Sequence, residues 1–509
     1  MSASAQASGS LTLTRSAIAS QRRRSSDEFS LRSRRARRYL ATGWPVAIWS
    51  LGMPVLWVLG LYPYVWVLPA VTFGLVILAR PSRFRMPTGA VALGGFIIMV
   101  GVSGVRVGDA QGLVLFGYRW AIMVSLWACL VWFANTPRTR LPTEVVQYWL
   151  GLIFVGLVGF GYLSLVAGTF VAPSVLQLLL PAGIAETGFI DSVSSLRLAE
   201  VTNYLGYTLA RPSAPMAFAN GWGSTMGLTL PFFFGAFVRS PFPRRRRFGQ
   251  VVLALATVPA AFSFNRGLWM SIAVLFVYWA VRRAASGDWT GLKVATALGL
   301  VVALLLVFSP LGELVFTKLE TAADSNESRG TLYVDAWGGA LESPLIGWGA
   351  PTPQEGTPPI GTHGLVWWIM YNHGFVALVL FAYWMVRTAW LALRTRRDVE
   401  VWSAVVVVIF VMQFGFYGLL PQLPIVGVAA GLVQRDRWER IEGRRRARAA
   451  LAAEHARPSA IRAASNSGSA SASPPELLPA HGRSGSAEGD GEHPNDLDPD
   501  NPPRGDTHP

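Results

Sequence analysis

Apolar residues run along this chain in long blocks, and the polar residues are crowded into the gaps between them. Neither the alternation of a half-buried strand nor the single stripe of a water-soluble helix explains blocks of this length. Apolar blocks fall near 40–60, 62–79, 88–105, 118–135, 145–170 and 215–237, and again near 248–263, 267–281, 291–309, 364–386, 400–418 and 420–434. Since crossing a hydrocarbon core takes about 20 apolar helical residues, the pattern predicts an all-α, polytopic membrane protein with about 12 transmembrane helices. The membrane domain is expected over 39–434.

The polar gaps carry a period of their own. Basic residues fill alternate gaps: Arg80, Arg83 and Arg85; Arg138 and Arg140; Arg239 and Arg244 to Arg247; Arg282, Arg283 and Lys293; Arg387, Arg394, Arg396 and Arg397. Cytoplasmic loops collect Lys and Arg, so these gaps and both termini are expected on the cytoplasmic side. The other gaps hold only Arg106, Arg197, Arg211, Arg266, Lys318 and Arg329 and are expected to face outward. Two of them are long, 171–214 and 310–362, and long outer loops are where a multispan enzyme can build a site. In them, AETGFIDSVSSLRLAEVTNYL and VDAWGGALE each read as a short amphipathic helix lying along the membrane surface.

Composition supports this reading. With 52% hydrophobic and 14% charged residues, a water-soluble domain of this length is excluded. The formal charge of +15 is spread over separate loops with no aromatic-basic face, so anionic membrane lipid is the expected partner and nucleic acid is not. Cys129 is the only cysteine and cannot form an intramolecular disulfide. Residues 1–38 are expected to be a disordered basic cytoplasmic segment, and 435–509 a disordered cytoplasmic tail that turns acidic, as in DGEHPNDLDPDNPPRGD. There is no phosphate loop, no HExxH and no His/Cys cluster at ligand spacing, so no metal and no cofactor are expected.

Four segments carry a more specific signal: MAFANGWGSTMGLTLPFFF, SFNRGLWMSIAVL, SRGTLYVDAW with ESPLIGWG, and THGLVWWIMYNHGFVAL. In order and spacing, over roughly 210–380, they resemble the O-antigen ligase and O-antigen polymerase superfamily. The points of likeness are an arginine just outside a membrane helix, a second arginine with Trp eight residues on and a Pro-x-x-Gly-x-Gly turn, and a histidine opening a membrane helix with Gly eleven residues later. Gly364 stands where that family usually has Asn after the histidine, and Asn265 where it usually has Ser before the first arginine. The resemblance implies a GT-C-like scaffold and transfer of a glycan from an undecaprenyl-pyrophosphate carrier to a hydroxyl of a glycan, lipid or wall acceptor outside the cytoplasm.

Such chemistry needs charge complementarity for pyrophosphate and a base for the incoming hydroxyl. The arginine fork binds phosphate oxygens bidentately and stays charged, and neutral histidine is available near neutral pH. The catalytic set is therefore Arg266, Arg329 and His363. Substrate binding falls to Arg211, Arg197, Arg119 and Asn220, with Asp335 orienting a neighbour and Trp337 stacking on sugar. Interfacial anchoring is the competing role for Trp337 as for Trp348, Trp367 and Trp368, and His373 reads as a buried, hydrogen-bonded structural residue. Two rival functions are a lipid-linked oligosaccharide flippase, against which the spans are nearly free of internal charge, and a metal-dependent cell-wall glycan polymerase, which added magnesium would reveal. Within the favoured class, the long tail and Arg-rich composition lean towards a polymerase over a ligase.

Overall fold

The computed structural model describes residues 33–468 except 186–187, 205–206, 295, 298, 301–329, 355–356 and 362–363. Among the described residues, five helices are long and apolar enough to cross a membrane: Tyr62–Ala79, Ala110–Asn135, Thr143–Val166, Arg266–Ala285 and Leu365–Leu393. The apolar blocks near 215–237, 248–263 and 400–418 are also helical, as Ala219–Phe233 with a π-helical turn Phe234–Val238, Pro243–Phe262 and Asp398–Gln413. Most of the block near 291–309 lies outside the described residues.

Two boundaries differ from expectation. Helix begins at 33, within the segment expected to be disordered, and runs to 51. The helix Leu423–Gly468 continues past 434, where the disordered tail was expected to start. Its residues up to Gly443 belong to the main body, and those from Arg444 form a separate unit that is helical as far as it is described. The first turn past 434 holds because its polar residues are partnered: Arg435 and Asp436 are buried.

The core is built from aromatic side chains and close backbone approaches. Trp49, Trp66, Trp222, Trp384, Phe154 and Phe381 are fully buried. Gly427 and Gly431, one turn apart, bring their helix against Ala110–Asn135: a Cβ at Gly431 would stand 2.9 Å from the Leu130 carbonyl oxygen. Small residues at such spacing let helix backbones pack where the hydrophobic effect gives no drive.

Several of the basic loops meet at one end of the bundle. Arg138 pairs with Glu400 at 2.6 Å and with Glu439 at 2.8 Å, while Arg440 and Arg397 reach Asp436 at 3.0 and 3.3 Å. Arg435 donates to the carbonyls of Thr136 and Leu141 and to Thr143 Oγ1. Arg437 donates to Thr88 Oγ1, and Arg282 to the carbonyls of Thr395 and Arg396.

The 171–214 loop corrects one expectation. Among the described residues of AETGFIDSVSSLRLAEVTNYL, helix covers Ala185, the end of Ala182–Ala185, and Gly188–Ser194; beyond them the chain forms the strand Leu196–Arg197 and then Ala199–Tyr204, paired antiparallel with Tyr207–Pro212. The run Glu-Val-Thr-Asn-Tyr offers β-branched and aromatic residues, and a nearby partner strand of like composition outweighs the helical spacing of its leucines. VDAWGGALE is helical as expected, within 330–342. Leu332, Ala336 and Ala340 are buried along one face, and Val334, Trp337 and Leu341 form an exposed apolar face suited to a membrane interface.

Candidate functional site

At the end of the bundle opposite the basic loops, a tight turn joins Pro243–Phe262 to Arg266–Ala285. Phe264 adopts φ +46, a left-handed conformation that a bulky residue takes only when its surroundings impose it. Here the surroundings are polar. Asn265 Oδ1 accepts the Leu268 N–H at 2.8 Å and caps the new helix, and Ser263 Oγ accepts the Asn265 N–H at 3.2 Å. Serine would cap as well; what Asn265 adds, where the resemblance led one to expect serine, is an amide donor that reaches Asn220. Arg266 is thereby the first residue of its helix, and it is exposed. A cation there opposes the helix dipole at a cost of about 0.3–1 kcal/mol, so helix stability does not explain the residue.

Arg211 is held beside this turn by the hairpin, which sets it opposite Glu200 in register. Its Nε donates to the Ser263 carbonyl at 3.0 Å and its Nη2 to Asn220 Oδ1 at 3.4 Å, with Glu200 Oε1 3.7 Å from Nη1. Glu200 also accepts the Ala219 N–H at 2.9 Å, an acidic cap on the start of Ala219–Phe233. Asn220 Oδ1 further accepts from Asn265 Nδ2 at 3.3 Å. Arg211, Asn220 and the residue before Arg266 therefore form one hydrogen-bonded unit.

The same turn is fixed to the start of Leu365–Leu393. The Gly267 N–H donates to the Tyr417 hydroxyl at 2.6 Å, and the Leu365 N–H donates to the Tyr417 carbonyl at 3.0 Å. Gln413 Nε2 adds bonds to the Gly267 carbonyl and Ser271 Oγ, and Gln422 Nε2 bonds the Gly221 carbonyl and Thr225 Oγ1. Gly364 has φ +78 and ψ 137, and a Cβ there would stand 2.5 Å from the Gly415 carbonyl oxygen. In this packing glycine is required where the resemblance led one to expect asparagine. Arg329 and His363, the other two expected catalytic residues, lie outside the described residues.

Leu365–Leu393 is broken at Gly374, with φ +81 and ψ 173. The ESPLIGWG loop fills the break: Trp348 and Gly349 donate N–H bonds to the Tyr371 and Asn372 carbonyls at 3.1 and 2.8 Å, and Phe375 N–H donates to the Pro344 carbonyl at 2.8 Å. Non-helical backbone at membrane depth is tolerated where protein satisfies it in this way. His373, at the break, is buried and pairs Nδ1 with Ser103 Oγ at 2.6 Å, while its Nε2 is buried with no hydrogen-bond partner among the described residues.

The remaining expected binders stand on other elements. Arg197 is on the short strand paired with Val171–Ala172, and Arg119 is in Ala110–Asn135. Asp335 and Trp337 are exposed on the 330–342 helix, whose Tyr333 stacks on Trp367 at 4.6 Å. Trp348 is engaged by the Gly339 carbonyl, and Trp368 packs on His373, so both serve the fold. Sequence reasoning missed Glu200, Tyr417, Gln413 and Gln422. Single glutamines inside apolar blocks were the available signal, since polar groups at membrane depth mark partnered positions. Among the described residues no group of three or more His, Cys, Asp or Glu side chains converges as a metal site would.

Residues 251–382 match the family model described as O-antigen ligase. That segment contains Arg266, Arg329, Asp335, Trp337 and His363; Arg119, Arg197, Arg211 and Asn220 precede it. No curated protein matches the chain. The chain is O-antigen ligase-like over this segment, an integral membrane protein of a kind that joins glycans at membranes.

Proposed function

We propose that this O-antigen ligase-like protein is a metal-independent glycosyltransferase that uses an undecaprenyl-pyrophosphate-linked glycan as donor. The acceptor hydroxyl attacks the anomeric carbon, the bond from that carbon to the pyrophosphate oxygen breaks, and the polyprenyl pyrophosphate departs with its electron pair. His363 takes the hydroxyl proton; Arg266 and Arg329 neutralise the pyrophosphate. Arg211, Arg197 and Arg119 extend the cationic surface, Asn220 and Trp337 contact sugar, and Asp335 orients a neighbouring cation or His363. The site faces away from the cytoplasm and both termini lie inside, within a bundle of about 12 spans.

The observation that carries this reading is the double attachment of Tyr417, whose hydroxyl bonds Gly267 and whose carbonyl bonds Leu365. Those two residues follow Arg266 and His363 by one and two positions. The helix starts on which the phosphate binder and the base depend are thus fixed to one residue. The exposure of Arg266 at the unfavourable end of its helix supports the same reading.

The test is the surface polysaccharide profile, with the lipid-linked intermediates, of the host carrying His363→Ala, with protein level checked. A general base contributes roughly 10²- to 10⁴-fold, so long polymer should disappear. Accumulation of single lipid-linked repeats identifies a polymerase, the reading favoured here, whereas accumulation of long lipid-linked chains identifies a ligase. A wild-type profile excludes His363 as the base.

A further inference from the structure

Two neighbouring cavities lie along the helix Arg266–Ala285. The first, of ≈650 Å³ at the basic end, has Arg239, Arg245, Arg282 and Arg283 in its wall with Trp279, and two carboxylates, Glu144 and Asp398. The second, of ≈460 Å³, is walled by apolar side chains such as Leu230, Phe234, Ile272 and Phe276. They lie on neighbouring stretches of chain: Phe234 belongs to the apolar cavity, and the next two residues, Gly235 and Ala236, to the cationic one.

Along Arg266–Ala285 the two cavities share one helix face. Leu268, Ile272, Leu275 and Phe276 line the apolar part, and Trp279, Arg282 and Arg283 continue the stripe at helical spacing. From Leu268 to Arg282 the stripe is about 21 Å long at 1.5 Å per residue. That is the depth of one leaflet with its headgroup layer, half of a bilayer of about 40–45 Å. Phe276 is 44% exposed, so the apolar cavity opens sideways, where acyl chains would reach it.

Two of these arginines are held against aromatic rings. The Arg245 guanidinium lies 4.8 Å from the Tyr148 ring centroid, and Arg283 lies 5.5 Å from that of Trp279 while pairing with Asp288. Stacking fixes the plane of a guanidinium and leaves N–H groups at its edge to bind phosphate oxygens.

We propose that the two cavities together are a binding site for an anionic phospholipid of the leaflet at the basic end, with the phosphodiester between Arg239 and Arg245 and an acyl chain against Ile272 and Phe276. The cationic end of the site lies about 24 Å along the helix from Arg266 at 1.5 Å per residue, and binding there does not depend on the proposed transfer reaction.

The test is native mass spectrometry of the purified full-length chain titrated separately with phosphatidylglycerol, phosphatidylcholine and a polyprenyl phosphate. Phosphatidylglycerol should be retained at least tenfold more tightly than phosphatidylcholine. A basic residue near an anionic headgroup contributes about fivefold, so Arg239→Gln with Arg245→Gln should weaken phosphatidylglycerol by roughly 25-fold. Ala254→Trp, which fills the apolar cavity from an exposed position, should displace the lipid without lowering the melting temperature. Equal retention of the two phospholipids, unchanged affinity in the arginine pair, or tighter retention of polyprenyl phosphate than of phosphatidylglycerol overturns the proposal.

Discussion

Tyr417→Phe removes one oxygen atom and little else. The ring still packs on Gly267, and the backbone carbonyl still accepts the Leu365 N–H. What is lost is the acceptor for the Gly267 N–H, a 2.6 Å bond at the second position of Arg266–Ala285. The first N–H groups of a helix have no partner within it, and Asn265 is already engaged with Leu268. If water replaces the hydroxyl the cost is about 0.5–1.5 kcal/mol, and if the site stays dry it is about 1–3 kcal/mol. Either loss is small against the packing of the whole bundle, so melting of the purified protein should fall only slightly. Transfer should suffer far more, because a displacement of about 1 Å in the reacting groups can cost on the order of 10²-fold. The assay is the yield of long polymer in cells expressing the variant, beside its melting temperature and protein level. A variant that makes wild-type polymer would refute the claim that Tyr417 aligns the two helix starts. A variant that loses polymer only in proportion to lost protein would reduce Tyr417 to a structural role.

Two further substitutions probe the scaffold. Gly374→Ala forces a Cβ to 2.6 Å from the Leu345 carbonyl oxygen at a positive φ, so it should cost about 1–3 kcal/mol in strain alone and lower both folded yield and melting temperature; an unchanged melting curve would mean that the break does not need glycine. Glu400→Gln keeps the shape of a fully buried side chain but removes the charge facing Arg138, and should destabilise by about 3 kcal/mol, the low end for a buried pair because Arg138 is 26% exposed. The double variant with Arg138→Gln should recover part of that loss, and a strictly additive loss would show that the two charges are not coupled.

Much of the fold was legible because apolar blocks and basic gaps are one-dimensional signals. Blocks of spanning length became helices such as Thr143–Val166 and Leu365–Leu393, and the gaps holding Arg138 and Arg397 converge on one end. The candidate cluster was legible in part: Arg211, Asn220 and Arg266 were singled out, and the first two are bonded to each other beside the third. What escaped depends on partners distant in sequence. Glu400 was passed over in the sequence, where it is one charge in a helix's first turn, yet it meets Thr143 and Arg138, more than 250 residues away. Glu200 was read as part of a helix, and only its pairing across the hairpin with Arg211 gives it a role. Gly374 was noticed by spacing, but its reason, a helix broken to admit the 343–349 loop, needed backbone coordinates.

The two ends of the bundle handle charge in opposite ways, and that contrast bears on function. At the basic end, buried carboxylates such as Glu400 and Asp436 are met by several guanidiniums, and breaking such a set is costly because a buried charge is left uncompensated. That end is rigid by construction. At the other end the connecting groups are amides, hydroxyls and backbone: Asn220, Asn265, Gln413, Gln422 and Tyr417 join the helix starts without buried ion pairs among them. Neutral hydrogen bonds contribute about 0.5–1.5 kcal/mol each, enough to hold geometry and small enough to exchange when an anionic ligand arrives. Arg266 is left exposed there, at a helix start that disfavours it until negative charge is brought alongside. A polyanionic substrate bound at this end would relieve that cost and find the cation already positioned, whereas the paired cations at the opposite end are already committed to holding the helices together.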